Sequence, residues 1–250
     1  MMRPLVMAIL GVFPTIAIAQ PLQGPYVSGD VGVNFAGSLQ SSHETTEVYT
    51  DAGPLGIIAL GWGFGNGLRT EVEGSYRSNS ITGISTRRID GLLEPLANVS
   101  GGATTYALMA NIAYDIPIHP FGLPIQPYVG AGVGYGWLDF SNIHGNGLGR
   151  FSLPDNNTFT GPDIVTFGSA GAFAYQATVG ASLPLPICRG LEMTFEYKLF
   201  GLARSDIPVN RVTTSGDLVN GVLPSNSTRN GFEVLDNDVL IGVRYAFGAP

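Results

Sequence analysis

The end of the chain carries the pattern that most limits its fold. Between residues 238 and 247, apolar or aromatic side chains hold every odd position, while the even positions carry charges, small residues and one leucine. A period of two places successive side chains on opposite faces of a β-strand. This segment therefore predicts a strand with one apolar face and one mixed, partly charged face.

The same alternation recurs along the chain and predicts eight strands. In 68–78, for example, Arg69, Glu71, Glu73 and Arg77 share one face, and the opposite face carries no charge. Strands of about ten residues, alternating and even in number, are what a tilted membrane barrel requires. The predicted fold class is all-β, an eight-stranded antiparallel transmembrane β-barrel. The predicted strands are 25–36, 54–64, 68–78, 103–116, 126–138, 171–184, 190–200 and 238–247.

The connections between these strands alternate between short and long. The short ones are 65–67, 116–125 and 185–189, and the first of them, Gly-Asn-Gly, tolerates the positive φ angles of a tight turn. Short periplasmic turns and long extracellular loops are typical of bacterial outer-membrane barrels. An even strand number then places both termini at the periplasmic side. The four long connections are predicted as extracellular loops: 37–53, 79–102, 139–170 and 201–237.

The first 19 residues are predicted to be a signal peptide. Arg3 precedes an apolar run from Leu5 to Ile18, and Ala17-Ile18-Ala19 is the small-residue pattern that a signal peptidase recognises. An N-terminal membrane anchor is the alternative, but the run is shorter than the ~20 residues of a spanning helix. We expect cleavage after Ala19, which leaves residues 20–250 as the barrel domain in the outer membrane.

Composition favours a membrane barrel over a soluble β-protein. Charged residues make up 12% of the chain, against about 25% in soluble domains. A lipocalin-like barrel or a β-sandwich also alternates and is the competing fold, but the charged faces of 68–78 and 190–200 do not suit a dry core. Aromatic residues near the strand ends are interpreted as the two girdles of a membrane barrel: Tyr26, Phe35, Trp62, Phe64, Tyr114, Trp137, Tyr197, Tyr245 and Phe247.

The sequence offers little for nucleic-acid binding, metal binding or catalysis. The formal net charge is −7, and no basic cluster exists beyond Arg87-Arg88, so a nucleic-acid partner is not expected. The single cysteine excludes an internal disulfide. The histidines His43, His119 and His144 are predicted in loops or turns, with none on a strand. Asp236-Asn237-Asp238 is interpreted as a turn. We therefore predict no catalytic residues, no metal site and no cofactor.

The predicted inward faces contain a charge network of six acids and four bases. An eight-stranded barrel is just wide enough for side chains to fill its lumen, and buried charges must pair because isolation costs several kcal/mol. One hypothesis is a structural plug, and the other is a gate whose rearrangement admits a narrow, cation-favouring water path. The network comprises Asp30, Arg69, Glu71, Glu73, Arg77, Asp115, Glu192, Glu196, Lys198 and Arg244.

Alternate glycines mark one predicted strand. Gly130, Gly132, Gly134 and Gly136 fall on its inward face. Neither the lysine nor the following helix of a phosphate-binding loop accompanies them. We expect these glycines to leave room in the lumen for long side chains, such as Arg and Glu, from other strands.

The chain resembles the small eight-stranded outer-membrane barrels of the OmpA transmembrane-domain and opacity-protein type. The resemblance is carried by Ala17-Ile18-Ala19, by the first strand 24–32 (GPYVSGDVG) and by the closing strand 239–247 (VLIGVRYAF). It implies a role in envelope integrity, adhesion or surface antigenicity, sometimes with low pore activity. The sequence ends shortly after the closing strand, so we expect no periplasmic peptidoglycan-binding domain. Gly248-Ala249-Pro250 follows the usual terminal aromatic and displaces the assembly signal.

Three functions follow as hypotheses. The first is a non-catalytic, monomeric barrel, embedded in lipid and lipopolysaccharide, whose long loops contact host or cell-surface ligands. The second is a small, weakly cation-selective porin gated by the lumen network. The third, an enzyme that modifies lipopolysaccharide, needs a Ser–His–acid set near the loop rim, and no predicted strand supplies the histidine. We therefore expect that the chain is not an enzyme.

Overall fold

The computed structural model is all-β in the residues it describes, and no helix there is long and apolar enough to cross a membrane. It describes residues 22–37, 39–41, 46–87, 93–95, 99–118, 124–141, 143–146, 151–152, 158–159, 162–213 and 227–247. The predicted signal peptide and its cleavage after Ala19 lie outside these residues and remain predictions. Eight long strands dominate: β1 (Gln23–Ala36), β4 (Gly53–Phe64), β5 (Leu68–Arg87), β7 (Val99–Asp115), β8 (Gln126–Phe140), β13 (Ala170–Pro184), β14 (Leu191–Thr213) and β15 (Ser227–Ala246).

The eight long strands close into one antiparallel barrel, as predicted. Each pairs with the next long strand along the chain. The ring closes where β1 pairs with β15, from Tyr26 opposite Ala246 to Ala36 opposite Asp236. Closure leaves no unpaired strand edge, which is the condition for crossing a hydrocarbon layer with strands.

Several strands run well beyond their predicted ends. The segment 201–237, predicted as a loop, continues β14 to Thr213 and begins β15 at Ser227; part of 79–102 likewise belongs to β5 and β7. An irregularity between Leu202 and Ser205 adds one residue to β14 and shifts the register against β15. Such a bulge breaks the period-two pattern, and this is why sequence alternation missed the continuation.

Seven short strands lie between the long ones: β2 (Leu39–Ser41), β3 (Thr46–Thr50), β6 (Leu93–Pro95), β9 (Ile143–Asn146), β10 (Phe151–Ser152), β11 (Thr158–Phe159) and β12 (Pro162–Phe167). The β2–β3 pair bridges β15 and β5. The β9–β12 pair bridges β7 and β14. Together with the far ends of β5, β7, β14 and β15, these two pairs form a second closed ring above the first. We call this ring the β-extension.

The β-extension corrects two predictions from sequence. His144, predicted in a loop, lies on β9. Parts of 37–53 and 139–170, predicted as loops, form its hairpins. Beyond the membrane, an outward face needs no apolar residues, so these strands lack the alternation by which the others were found.

The outer wall of the barrel is apolar, and the inner wall is polar. Ile58 and Leu60 are 72% and 68% exposed, and a continuous apolar surface of this kind marks contact with lipid. The Tyr76–Tyr106 and Tyr135–Trp137 ring pairs lie toward one end, with centroids 5.3 and 5.0 Å apart. A Tyr245–Phe247 pair, also at 5.0 Å, lies toward the other end. Aromatic rings near both ends form the girdles of a membrane barrel.

The end of the barrel at which β1 begins and β15 ends also holds the tight turns. Gly65 and Gly67 have φ angles of 77° and 89°, and the Asn66 side chain accepts a hydrogen bond from the Leu68 amide at 3.0 Å. Gly190, with φ of 78°, ends the turn between β13 and β14. Positive φ is favourable only for glycine, which is why these short connections hold.

Candidate functional site: the filled lumen

The structure places all ten residues of the predicted charge network on the inner wall. Seven of them are less than 9% exposed, and Glu71, Glu192 and Glu196 are partly buried. They fall into three layers, which we name lower, central and upper, starting from the end of the barrel that holds the tight turns.

The lower layer pairs each of two arginines with one acid. Arg69 Nε lies 3.5 Å from Asp115 Oδ1, and Arg244 Nη1 lies 3.2 Å from Glu192 Oε2. The register between β14 and β15 sets Arg244 directly opposite Glu192. Both guanidinium groups also approach the ring of Tyr128, at 4.2 Å for Arg69 and 5.1 Å for Arg244. This layer is therefore neutral and closed by an aromatic ring.

Tyr26 is a correction to the sequence analysis, which placed it in the lipid-facing girdle. Its side chain is 1% exposed and its hydroxyl donates to Glu71 Oε2 at 2.7 Å, so it lies in the lumen. Tyr128 is bound in the same way, with its hydroxyl donating to Glu196 Oε1 at 2.6 Å. Tyr26 and Asp30 both occupy even positions of β1, so the alternation along this strand already indicated that Tyr26 faces the lumen.

The central layer is built around one carboxylate oxygen. Glu73 Oε2 accepts hydrogen bonds from Lys198 Nζ at 2.6 Å, Asn111 Nδ2 at 2.9 Å and Gln176 Nε2 at 3.1 Å. Lys198 Nζ also lies 3.3 Å from Glu196 Oε2. Because β5, β7, β13 and β14 each contribute one or two of these groups, the layer ties opposite walls of the barrel together.

Asp30 stands beside this layer. Its Oδ1 accepts a hydrogen bond from the Thr194 hydroxyl at 2.8 Å, which links β1 to β14 over Gly242 of the intervening strand β15. Asp30 is 5% exposed and Thr194 is 1% exposed. The layer thus includes four acids, Asp30, Glu71, Glu73 and Glu196, and a single cation, Lys198.

The upper layer is organised by Arg77 and contains two acids absent from the predicted network. Arg77 donates to Asp238 Oδ2 from Nε at 3.2 Å and from Nη2 at 2.8 Å. Asn34 Nδ2 donates to Asp238 Oδ1 at 2.7 Å, and the guanidinium carbon lies 3.8 Å from the centre of the Phe200 ring. Asp236 and Asp238 are 2% and 0% exposed.

The interpretation of Asp236-Asn237-Asp238 as a turn is therefore wrong, because the segment continues β15 into the lumen wall. Asp238 has the same parity as Arg244, and this was the signal that identified it as inward-facing. With these two acids, the described lumen holds eight carboxyl groups and four cationic groups.

An apolar layer closes the barrel at the end that leads into the β-extension. Its members are buried, and part of the layer lies level with the charged groups, because Met109 is directly opposite Glu73 and Phe200 contacts Arg77. Ion passage through such a layer requires dehydration in an apolar surrounding, which is costly. It comprises Ile81, Ala103, Ala107, Met109, Leu138, Phe140, Ala172, Ala174, Phe200, Leu202 and Val234.

The glycines of β8 leave space in the lumen for side chains from neighbouring strands. A Cβ at Gly132 would meet Asn111, one at Gly134 would meet Met109, and one at Gly136 would meet Leu202. The glycines accommodate neighbouring side chains, as expected, but the neighbours are an amide and two apolar residues rather than the predicted Arg and Glu.

The acidic side chains of the described residues are not grouped as a metal centre. No group of three or more His, Cys, Asp or Glu side chains in that part of the chain is close enough to hold a metal ion. Most of the described carboxylates bind a cationic, hydroxyl or amide donor, an arrangement suited to filling and bracing a lumen.

Comparison with known proteins identifies the group to which this barrel belongs. The family model for the outer membrane protein beta-barrel domain matches residues 5–247. The chain belongs to this family. An "Outer membrane protein" of Gluconacetobacter diazotrophicus is 32% identical over 249 residues, which cover 94% of this chain. The alignment spans 60% of the length of that relative. This chain is accordingly an outer-membrane protein.

Solved structures of other outer-membrane barrels are similar in fold. Neisserial surface protein A (NspA) is 15% identical with a TM-score of 0.48, over 90% of this chain and 98% of that one. The outer membrane protease OmpT of Escherichia coli is 9% identical with a TM-score of 0.52, over 92% and 99% of the two chains. At these identities the likeness to OmpT concerns the fold alone, and its proteolysis is a property of that protein.

Membership of the outer membrane protein beta-barrel family indicates which end of the lumen faces the periplasm. Tight turns face the periplasm in such barrels, and the longer connections face outward. The lower layer therefore lies at the periplasmic end, and the apolar layer and the β-extension lie at the extracellular end.

Proposed function

We propose that this outer-membrane barrel has a closed lumen and acts through its extracellular surface, in envelope integrity, adhesion or surface antigenicity. The observation that carries the proposal is the filling of the lumen by three layers of bound polar side chains and by a buried apolar layer that overlaps the upper ones. A water path would have to open both kinds of layer. Transport through the barrel is thus disfavoured, and the exposed outer end is left as the working surface.

The β-extension supports the same proposal. The described strands of this extension form a second closed ring that continues the barrel beyond the membrane, and in this proposal the segments that join its strands carry the contact surface. Binding residues are commonly found on loops held by such a scaffold. The proposed partners are lipid and lipopolysaccharide around the barrel and host or cell-surface ligands at the loops. The proposed state is a monomer without enzymatic activity.

A small, weakly cation-selective pore is the second candidate, and one observation favours it. The lumen holds eight carboxyl groups against four cationic groups, an imbalance that would attract cations to any path that opened. In this alternative the pairs around Arg77, Lys198 and Arg244 act as the gate.

Single-channel recording in planar bilayers separates the two candidates. For the closed barrel we expect the wild-type protein to show conductance near zero. Arg244→Ala should lower stability, because it leaves Glu192 without its partner, yet still show almost no current. Arg189→Ala removes an exposed arginine from the β13–β14 turn and is the matched control. Large, steady wild-type currents, or frequent cation-selective openings in Arg244→Ala alone, would establish the pore instead.

Attachment assays test the surface role. In a strain that lacks this protein, we expect the full chain to restore attachment to host cells or to neighbouring cells. A variant in which a short turn replaces residues 205–231 should reach the membrane but fail to restore attachment. Equal restoration by both chains would overturn the assignment of function to this part of the surface.

A further inference from the structure

The amide and hydroxyl donors of the central layer are all used, while strong acceptors in the same layer have no hydrogen bond. Gln176 Nε2 donates to Glu73 and to Asn111, and Asn111 Nδ2 donates to Glu73 and to Glu71 at 3.1 Å. An amide nitrogen has two hydrogens to donate, so both amides are fully used. The Thr194 hydroxyl is also used, on Asp30.

Apart from Glu196 Oε2, which lies 3.3 Å from Lys198 Nζ, two buried oxygens in this layer have no hydrogen-bond partner. They are Glu73 Oε1 and Gln176 Oε1, on side chains that are 0% and 4% exposed. They belong to the same cluster, because the Gln176 amide donates to the other oxygen of Glu73 at 3.1 Å. A buried acceptor without a partner costs about 1–3 kcal/mol, and more when it is charged.

The charge of the layer points to the kind of ligand that these oxygens take. Four carboxyl groups face one ammonium group, Lys198, whose nitrogen lies close to Glu73 and Glu196. The neighbouring lower layer is balanced within itself, with two arginines and two acids, and supplies no spare cation. Unpaired negative charge in a closed lumen is strongly unfavourable, and a neutral water molecule satisfies the oxygens without relieving it.

We propose that the central layer binds one small monovalent cation, of the Na⁺ or K⁺ class, at Glu73 Oε1 and Gln176 Oε1. Carboxylate and amide oxygens are suitable ligands for such hard cations. A divalent ion is disfavoured, because such ions are commonly held by several carboxylates at once, and no three acidic, histidine or cysteine side chains among the described residues are grouped to hold a metal ion. The site serves as an internal brace between β5 and β13 and does not depend on the surface role proposed above.

Unfolding of the full, refolded chain at fixed pH and ionic strength provides the test, with chloride salts of Na⁺, K⁺ or choline as probes. Choline is too large to be bound by two buried oxygens. We expect Na⁺ or K⁺ to raise the unfolding midpoint saturably, by about 3 °C, over the value in choline. Equal midpoints in all three salts would overturn the proposal, as would a midpoint that responds to pH but not to the cation.

Matched variants locate the effect. Glu73→Gln removes the proposed ligand oxygen and should abolish the saturable rise. Glu192→Gln makes the same exchange in the lower layer and should retain it. Loss of the rise in both variants, or in neither, would contradict a site at Glu73.

Crystals of the wild-type protein grown in Rb⁺ provide a readout that does not require a variant to fold. We expect an anomalous-scattering peak within coordinating distance of Glu73 Oε1 and Gln176 Oε1. A water molecule at that position, without anomalous signal, would overturn the proposal.

Discussion

At the scale of single residues, Lys198 is the side chain on which most of the lumen depends. It is 2% exposed and lies 2.6 Å from Glu73. Removing one partner of a buried ion pair leaves the other charge uncompensated, at a cost of about 3–5 kcal/mol. We therefore expect Lys198→Met to lower the free energy of unfolding by about that amount. Urea unfolding in lipid vesicles measures it.

The control for Lys198→Met is a double variant. Lys198→Met combined with Glu73→Gln removes both charges, so it should recover part of the lost stability. If the double variant is less stable than the single one, the cost arises from lost packing, and the charge argument is wrong.

A second residue-scale prediction contrasts two glycines of β4. A Cβ at Gly61 would overlap the buried Tyr26 ring, whereas nothing lies within 4 Å of the corresponding position at Gly56. Overpacking typically costs about 1–3 kcal/mol, so we expect Gly61→Ala to destabilise the barrel by this amount. Gly56→Ala should be neutral or slightly stabilising, because it restricts the unfolded chain. Comparing the urea midpoints decides, and equal midpoints would invalidate the packing argument.

The sequence predicts which side chains of a strand face the lumen and which face the lipid. It does not predict how the inward-facing side chains are grouped into layers. Period two was enough to place Arg69, Glu73 and Lys198 on the inner wall. Which acid each base contacts depends on the register between strands, which hydrophobic alternation leaves free in steps of two. Tyr26 and Asp238 show another limit. Aromatic residues near strand ends are common in girdles, and Asp-Asn-Asp segments are common in turns. These preferences led to wrong assignments, although the even positions of both residues placed them on the inward face.

At the scale of elements, the outward face of β15 gives a test of membrane depth. Ile241 and Leu235 are similarly exposed, at 46% and 47%, and share that face, but Leu235 lies nearer the extracellular end. A charge on the lipid face costs about 2–4 kcal/mol at the midplane and 0–1 kcal/mol near the interface. We expect Ile241→Arg to lower the free energy of folding into vesicles strongly and Leu235→Arg only slightly. A larger effect at Leu235 would mean that the belt is misplaced.

Strand ends were the least predictable feature of the elements, for a physical reason. Within the bilayer, lipid requires apolar side chains outside, so alternation is enforced by the solvent. Above the bilayer that requirement disappears. The bulge between Leu202 and Ser205 then shifts the inward positions of β14 by one residue. The part of β14 that continues to Thr213 therefore lacks the apolar outward face of the part within the bilayer, and its inward positions fall on the other alternate residues.

At the scale of the whole molecule, closure of the barrel follows from counting strands, whereas closure of the β-extension does not. The extension depends on short strands such as β2 and β9, which pair only because the long strands hold them in place. Hairpins of this size are marginal by themselves in water. The β-extension is therefore stable only because the barrel holds its strands, whereas the barrel should fold without the β-extension.

We therefore predict that the barrel still folds when most of the β14 and β15 part of the β-extension is removed. Replacing residues 205–231 by a short turn leaves intact the β1–β15 pairs, which end at Ala36 opposite Asp236, and retains Leu202 and Val234 of the apolar layer. We expect the shortened chain to fold into vesicles and to migrate differently on gels with and without heating, as the full chain should. Replacing 199–235 instead removes Phe200, Leu202 and Val234 from the apolar layer, and should prevent folding. If the shorter deletion also abolished the heat-dependent shift, the two rings would form one cooperative unit, and the extension would contribute to barrel stability rather than depend on it.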